Sequence, residues 1–271
     1  MKDMKVLVLD IDGTLTNSDK EITENTKRGI MNIQERGHKV ILASGRPAFG
    51  MKRFEKELEL DKYGGYLLSF NGGRIINCKT GDIVYQRTLP SLIIPSIYHF
   101  AKENDCGIIT YLWDTIVSGA RMDSYIRLES RINGMPVKET DNFLGYGKME
   151  LNKCLMTAEP ERAEQFEKLL QEKYGDMISV YRSEPFFIEI MPKNVDKATS
   201  LDKMLKTAGL TRENAICCGD GFNDMTMIQY AGIGVAMANA QEPVKEAADF
   251  ITKSNDEDGI VTVIEKFIAD V

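Results

Sequence analysis

Apolar residues occur along this chain in two periods, and the alternation between them outlines the fold. Short unbroken runs such as Val6-Leu7-Val8-Leu9 and Ala215-Ile216-Cys217-Cys218 have the length and β-branched character of strands buried on both faces. Between them lie amphipathic stretches of helical period. The first quarter predicts a strand at 5–10 and a helix near 23–36 with Ile30 and Ile33 on one face. Gly37 stands where a helix C-cap belongs. A strand at 39–43, a helix near 47–58 and a strand at 66–69 follow. The end of the chain alternates in the same way: helix 197–208, strand 214–218, helix 222–230, strand 232–236, helix 241–248, strand 249–252 and helix 257–268. Strands separated by helices predict βαβ units and a parallel sheet.

The middle reads differently. A helix at about 91–104, two adjacent strand-like runs at 107–118 and a helix near 122–131 lead to a strand at 153–158 and a helix at 159–173. Two further runs, 177–183 and 186–191, are joined by Ser183-Glu184-Pro185. Adjacent strands with hairpin turns predict an antiparallel sheet covered by helices on one face. The expected fold class is therefore α/β, a Rossmann-like parallel-sheet core with an inserted α+β domain. The core takes 1–84 and 190–271, and the insertion takes 85–189.

The carboxyl ends of the predicted core strands carry the chemistry. The first strand runs into Asp10-Ile11-Asp12-Gly13-Thr14, two carboxylates two residues apart at the edge where α/β folds bind ligands. Their repulsion is costly unless a cation or a proton relieves it, although Asp and Gly after a strand also make ordinary turns. Strand 39–43 ends in Ser44-Gly45-Arg46. Strand 214–218 ends in Gly219-Asp220-Gly221-Phe222-Asn223-Asp224. Lys197 opens a helix after Ile190-Met191-Pro192-Lys193-Asn194-Val195-Asp196, with Lys193 as its competitor.

These four stations, in this order, resemble the haloacid dehalogenase superfamily of phosphotransferases. Placement of the insertion after Ser44 is similar to a C2-type cap, and the whole pattern to the Cof-type phosphatases. The resemblance implies that Asp10 is the nucleophile that forms an aspartyl-phosphate. Asp12 would be the general acid and then the base, and its side chain would project on the same side as that of Asp10 if the strand stays extended. It implies magnesium, an all-oxygen-ligand cation, on Asp10, Asp220 and the backbone carbonyl of Asp12, with Asp224 ligating it or holding one of its waters. Ser44, Gly45, Lys197 and Asn223 would bind the phosphate, with the Asn223 amide orienting Lys197 or touching the phosphoryl group. Asp224 has an alternative as a helix N-terminal acid favoured by the dipole. Two positions depart from the family pattern: Asn194 and Ala198 replace glycines. Asn71-Gly72-Gly73 is similar to the family's substrate-side loop, or is simply a turn. Tyr111, Trp113, Arg182 and Glu184 are available to a leaving group, and none is assigned to one.

Composition narrows the functional classes. At 271 residues and 43% hydrophobic content the chain can bury a core and fill two modest domains. A formal charge of −7 argues against nucleic acid or an anionic membrane as partner. No apolar run of membrane-spanning length and no signal sequence are visible. Five cysteines without CxxC spacing read as reduced thiols, so a cytoplasmic location is expected; Cys217 and Cys218 should point to opposite faces of their strand. His38 and His99 flank no acidic motif, which makes a histidine-based triad improbable. Nothing calls for an obligate protein partner. The expected function is a magnesium-dependent phosphatase hydrolysing small phosphorylated metabolites, sugar phosphates or cofactor-like phosphates. The alternatives are a sugar phosphomutase using the same intermediate and a catalytically silent sugar-phosphate sensor. A silent relative would be expected to have lost a motif carboxylate, and none is missing.

Overall fold

The computed structural model describes residues 4–268. Five strands come first: β1 (Val6–Leu9), β2 (Lys39–Ala43), β3 (Tyr66–Ser69), β4 (Arg74–Asn77) and β5 (Ile83–Gln86). Six follow: β6 (Gly107–Leu112), β7 (Thr115–Ser118), β8 (Val137–Glu139), β9 (Cys154–Thr157), β10 (Ile178–Glu184) and β11 (Phe187–Pro192). Three complete the set: β12 (Ala215–Gly219), β13 (Ile233–Ala236) and β14 (Phe250–Ile251). Two compact units contain them. One is Met1–Gly45, Met51–Tyr85 and Asp196–Val271; the other is Arg46–Gly50 and Gln86–Val195. The junction expected between 189 and 190 would cut β11, which pairs along its whole length with β10; the division falls instead between Val195 and Asp196.

In the first unit the sheet order is β14-β13-β12-β1-β2-β3-β4-β5. The strands from β14 to β3 run parallel, and β4 returns antiparallel to β3. Alternation along β1 divides its side chains between two cores. Leu7 and Leu9 join Ile30, Ile33, Leu42, Cys218, Val263 and Ile264, while Val6 and Val8 join Ile41, Cys217, Leu201, Leu205 and Met227. Both faces of β1 are thus covered, which is why the strand reads as a continuous apolar run. Each such Val or Leu contributes about 1.5–3 kcal/mol on burial. Cys217 and Cys218 fall in different cores, as strand geometry requires. All five thiols are buried and unpaired.

In the second unit the order is β10-β11-β9-β6-β7-β8, antiparallel except for the parallel β7–β8 pair. The helices Ile94–Glu103 and Pro160–Tyr174 pack Ile94, Ile97, Ala163, Phe166 and Leu170 onto Ile108, Cys154, Met156, Ile188 and Ile190 of the sheet. No helix among the described residues is long and apolar enough to cross a membrane.

Candidate active site

The site belongs to the first unit and lies at its topological switch point. From β1 the chain proceeds through β2 and β3 on one side, then returns through β12 and β13 on the other. A crevice forms outside the carboxyl ends at such a reversal. The register Leu9↔Cys218 and Leu9↔Leu42 brings the residues after β1, β12 and β2 to one edge. Asp10 continues the β1–β12 ladder by donating its amide to the Cys218 carbonyl at 3.1 Å.

Lys197 reaches this edge from the helix Lys197–Thr207. The Asp196 side chain caps that helix by accepting from the Thr199 amide, and Asn194 makes the turn before it at φ +57°. Asn adopts this left-handed backbone at little cost, so its replacement of a glycine is accommodated. The Lys197 ammonium is fully buried and donates to Asp10 Oδ1 at 2.6 Å and to Asp224 Oδ1 at 2.5 Å. Asp224 Oδ2 accepts from the amides of Asp220 and Gly221 at 3.0 and 2.9 Å. Thr14 donates its hydroxyl to Asp220 Oδ1 at 2.9 Å. Gly13 turns the loop at φ +84°, and a Cβ there would stand 2.4 Å from Asp220 Oδ2. The loop after β1 and the loop after β12 therefore fit together only with glycine at this position.

Three carboxylates meet here. Asp10, Asp220 and Asp224 each offer an oxygen, all within 4.8 Å of one another. Burial first, then the neighbouring Asp224, holds the Asp10 carboxyl well above its ordinary range against the pull of Lys197. Burial pushes Asp220 up to about 6, with Asp224 adding to the rise and the Thr14 hydrogen bond opposing it. Burial pulls Lys197 down, but Asp10 and Asp224 outweigh it and leave the ammonium above its ordinary value. One ammonium does not neutralise three carboxylates. The remaining charge and the all-oxygen donor set fit a hard divalent cation.

The other expected residues fall into two places. Ser44, buried, donates its backbone amide to the Leu68 carbonyl and accepts at its own carbonyl from the Asn71 amide, both at 2.9 Å. A Cβ on Gly45 would lie 3.4 Å from the Asn71 carboxamide. Asn223 donates its carboxamide to Asn71 Oδ1 at 3.1 Å, so this amide engages the loop after β3. Asn71 thus joins the strand-end residues, at φ +52°. The extended geometry on which the expected projection of Asp12 beside Asp10 depended does not persist. β1 ends at Leu9, the chain turns, and Asp12 pairs as an isolated bridge with Thr16. Its carboxylate lies 3.2 Å from the ammonium of Lys20 and is not in the three-carboxylate group.

Lys193, the competitor of Lys197, is exposed and donates to the Gly175 carbonyl within the second unit. In that unit Tyr111 is buried and donates to Glu129 at 2.5 Å, Arg182 pairs with Glu167, and Trp113 stands 76% exposed in the β6–β7 turn. Arg46 donates to the Ile132 carbonyl at 2.9 Å. Lys20 and Thr14 were not singled out from sequence. Thr14 lay inside the quoted motif, and Lys20 had no signal beyond its charge.

A doubly wound sheet with acids and a buried lysine at its switch point defines an α/β protein with an acidic ligand crevice. The model of the haloacid dehalogenase-like hydrolases matches residues 7–264. A solved haloacid dehalogenase-like hydrolase of Bacteroides thetaiotaomicron aligns with a TM-score of 0.94 at 43% identity, over 98% of this chain and 100% of that one. The Thermotoga maritima protein TM0651 aligns with a TM-score of 0.88 at 30% identity, over 98% of each chain. The 5-amino-6-(5-phospho-D-ribitylamino)uracil phosphatase YcsE of Bacillus subtilis (strain 168) is 28% identical over 267 residues, 98% of this chain and 96% of that protein. The chain belongs to the haloacid dehalogenase-like hydrolases.

Proposed function

We propose that this chain is a magnesium-dependent phosphatase that hydrolyses small phosphorylated metabolites, sugar phosphates or cofactor-like phosphates, through an aspartyl-phosphate on Asp10. The observation that carries the reading is the buried Asp10 carboxylate, oriented by Lys197 and grouped with Asp220 and Asp224 at the carboxyl edge of β1. Family membership and the phosphatase YcsE among its relatives support it.

The chemistry follows from the residues. Asp10 attacks phosphorus, the phosphorus–ester oxygen bond breaks, and Asp12 gives its proton to the leaving alkoxide. Water then attacks the aspartyl-phosphate, Asp12 takes the water's proton, and inorganic phosphate leaves with Asp10 regenerated. The Lys197 ammonium has three donors; Asp10 and Asp224 take two, leaving the third for a phosphoryl oxygen. Ser44 adds its hydroxyl, Gly45 its amide and Asn223 its carboxamide. Asp10, Asp220, Asp224 and the backbone carbonyl of Asp12 would hold magnesium, which supplies the positive charge that lets carboxylate and phosphate approach.

The test is a panel of phosphorylated metabolites assayed for phosphate release with magnesium and in excess chelator. Release in proportion to substrate lost, confined to the magnesium arm, is expected. Equal release in chelator, or an isomer formed without phosphate, would overturn the reading.

A further inference from the structure

Asp12 is the proposed proton donor, yet its own loop makes mostly local bonds. Leu15 donates its amide to the Asp10 carbonyl at 3.2 Å, and Thr16 its amide and hydroxyl to the Ile11 carbonyl at 3.0 and 2.9 Å. These close the turn without fixing its outer part. Two backbone acceptors there, the carbonyls of Gly13 and Thr16, receive donors from the far end of the chain. Asn239, just after β13, donates its carboxamide to Gly13 at 2.8 Å. Asn255, after β14, donates its carboxamide to Thr16 at 2.9 Å.

The two asparagines are themselves joined. The Asn255 amide donates to Asn239 Oδ1 at 3.0 Å. The segment bearing Asn239 is pinned to β12, since Met237 donates to the Gly219 carbonyl at 3.0 Å and Gln241 to that of Asp220 at 3.3 Å. One anchor therefore holds the carbonyl of Gly13, the residue after Asp12, and the other holds Thr16, the residue that pairs with Asp12 in an isolated bridge. Both converge on the same backbone. Asn239 is exposed and Asn255 half-buried, so neither adds much apolar burial to the fold. Their carboxamide donors go to the two loop carbonyls.

We propose that Asn239 and Asn255 form a linked carboxamide clamp that positions Asp12 for proton transfer, acting on its backbone and not on the substrate. The proposal rests on the phosphatase reading of the site. A clamp that sets one acid should matter where that acid is needed. A misplacement of about 1 Å can cost about 100-fold in rate. The loss should be concentrated on substrates whose leaving group requires a proton.

The test compares Asn239→Leu, Asn255→Leu and their double variant with wild type on a sugar phosphate and on p-nitrophenyl phosphate, whose phenolate leaves unprotonated. We expect kcat on the sugar phosphate to fall about 10- to 100-fold at KM within about twofold, on the scale of a misplaced catalytic group. The first-turnover burst of nitrophenolate should stay within about threefold, because that step does not need the acid. The double variant should be no worse than the poorer single one, since the two amides act as one unit. Asp256→Ala, which removes both acceptors of Ser18 in the same turn, should leave kcat unchanged. Equal losses on both substrates, multiplicative losses in the double variant, or an equal loss in Asp256→Ala would overturn the clamp. Hydrogen exchange at the Leu15 and Thr16 amides gives a reading independent of turnover. Faster exchange in the variants supports the clamp and unchanged exchange overturns it, even if wild type releases no phosphate and the phosphatase reading itself fails. Asn239→Asp and Asn255→Asp keep shape and lose the donor, and serve if a leucine variant does not fold.

Discussion

Replacing Lys197 by methionine removes the ammonium bonded to both Asp10 and Asp224, and its cost can be worked out from the geometry. Asp10 and Asp224 are then left with oxygens inside the 4.8 Å group and no cation between them. At that distance and an effective dielectric of about 20, two unit charges repel by about 3 kcal/mol. Breaking a buried ion pair by deleting one partner typically costs about 3–5 kcal/mol, in agreement. For a domain of this size about 1 kcal/mol moves Tm by roughly 2–4 °C, so Lys197→Met in chelator should melt about 10 °C below wild type. The deficit should shrink at low pH, because Asp10 already takes up a proton more readily than an ordinary carboxylate. It should also shrink in magnesium, which binds the folded state alone. Turnover should fall about 10²- to 10³-fold even where stability is restored, because a donor to the phosphoryl group is gone. Circular dichroism melts at pH 5 and 8, with magnesium and with chelator, read the stability effects, and a phosphate-release assay reads the turnover. Lys193→Met is the control and should melt with wild type. A Lys197→Met protein as stable as wild type in chelator at pH 8 would refute the electrostatic reasoning.

Three further outcomes follow from the same geometry. Asp12→Ala should cost about 10²–10⁴ on a sugar phosphate but much less in the nitrophenolate burst; equal losses in stopped-flow and steady-state assays would make Asp12 structural. Asp220, raised from 3.8 to about 6 in the fold, favours the folded state while it carries its proton. That contribution is fully present below pH 4 and lost as pH rises through 6, a difference of up to about 3 kcal/mol. Urea unfolding in chelator should therefore show wild type losing stability relative to Asp220→Asn between pH 4 and 7, and magnesium titrations should show affinity rising over the same window; a flat difference would contradict the shift. Gly13→Ala should abolish turnover, since its Cβ would meet Asp220 Oδ2 at 2.4 Å in a backbone of positive φ; phosphate release at the wild-type rate would contradict this.

The parallel core was legible because its strands are buried on both faces, so Val6–Leu9 and Ala215–Gly219 stand out as apolar runs ending in acids. Lys197 was legible through its helix start, where Asp196 supplies a cap. Short elements with partial burial were not. β4 and β5 extend the sheet past β3, and β8 adds a parallel edge to β7, yet these strands are three or four residues long and partly exposed. The extended geometry assumed for Asp12 does not persist, because β1 ends at Leu9 and strand alternation stops before Asp12. Lys20, Asn239 and Asn255 carry no local pattern. Their roles come from contacts between segments distant in sequence, which periodicity does not encode.

The central claim is covalent phosphorylation of Asp10, and the Asp12→Ala variant offers the most direct view of it. A nitrophenolate leaving group needs no proton, whereas hydrolysis of the intermediate needs Asp12, so the intermediate should accumulate. Radiolabelled p-nitrophenyl phosphate, magnesium and acid quench should leave about one hydroxylamine-labile phosphate per chain, on the peptide that carries Asp10, and none in a variant also bearing Asp10→Asn. Release of a full equivalent of nitrophenolate without labelled protein, or label on any other residue, would contradict the account.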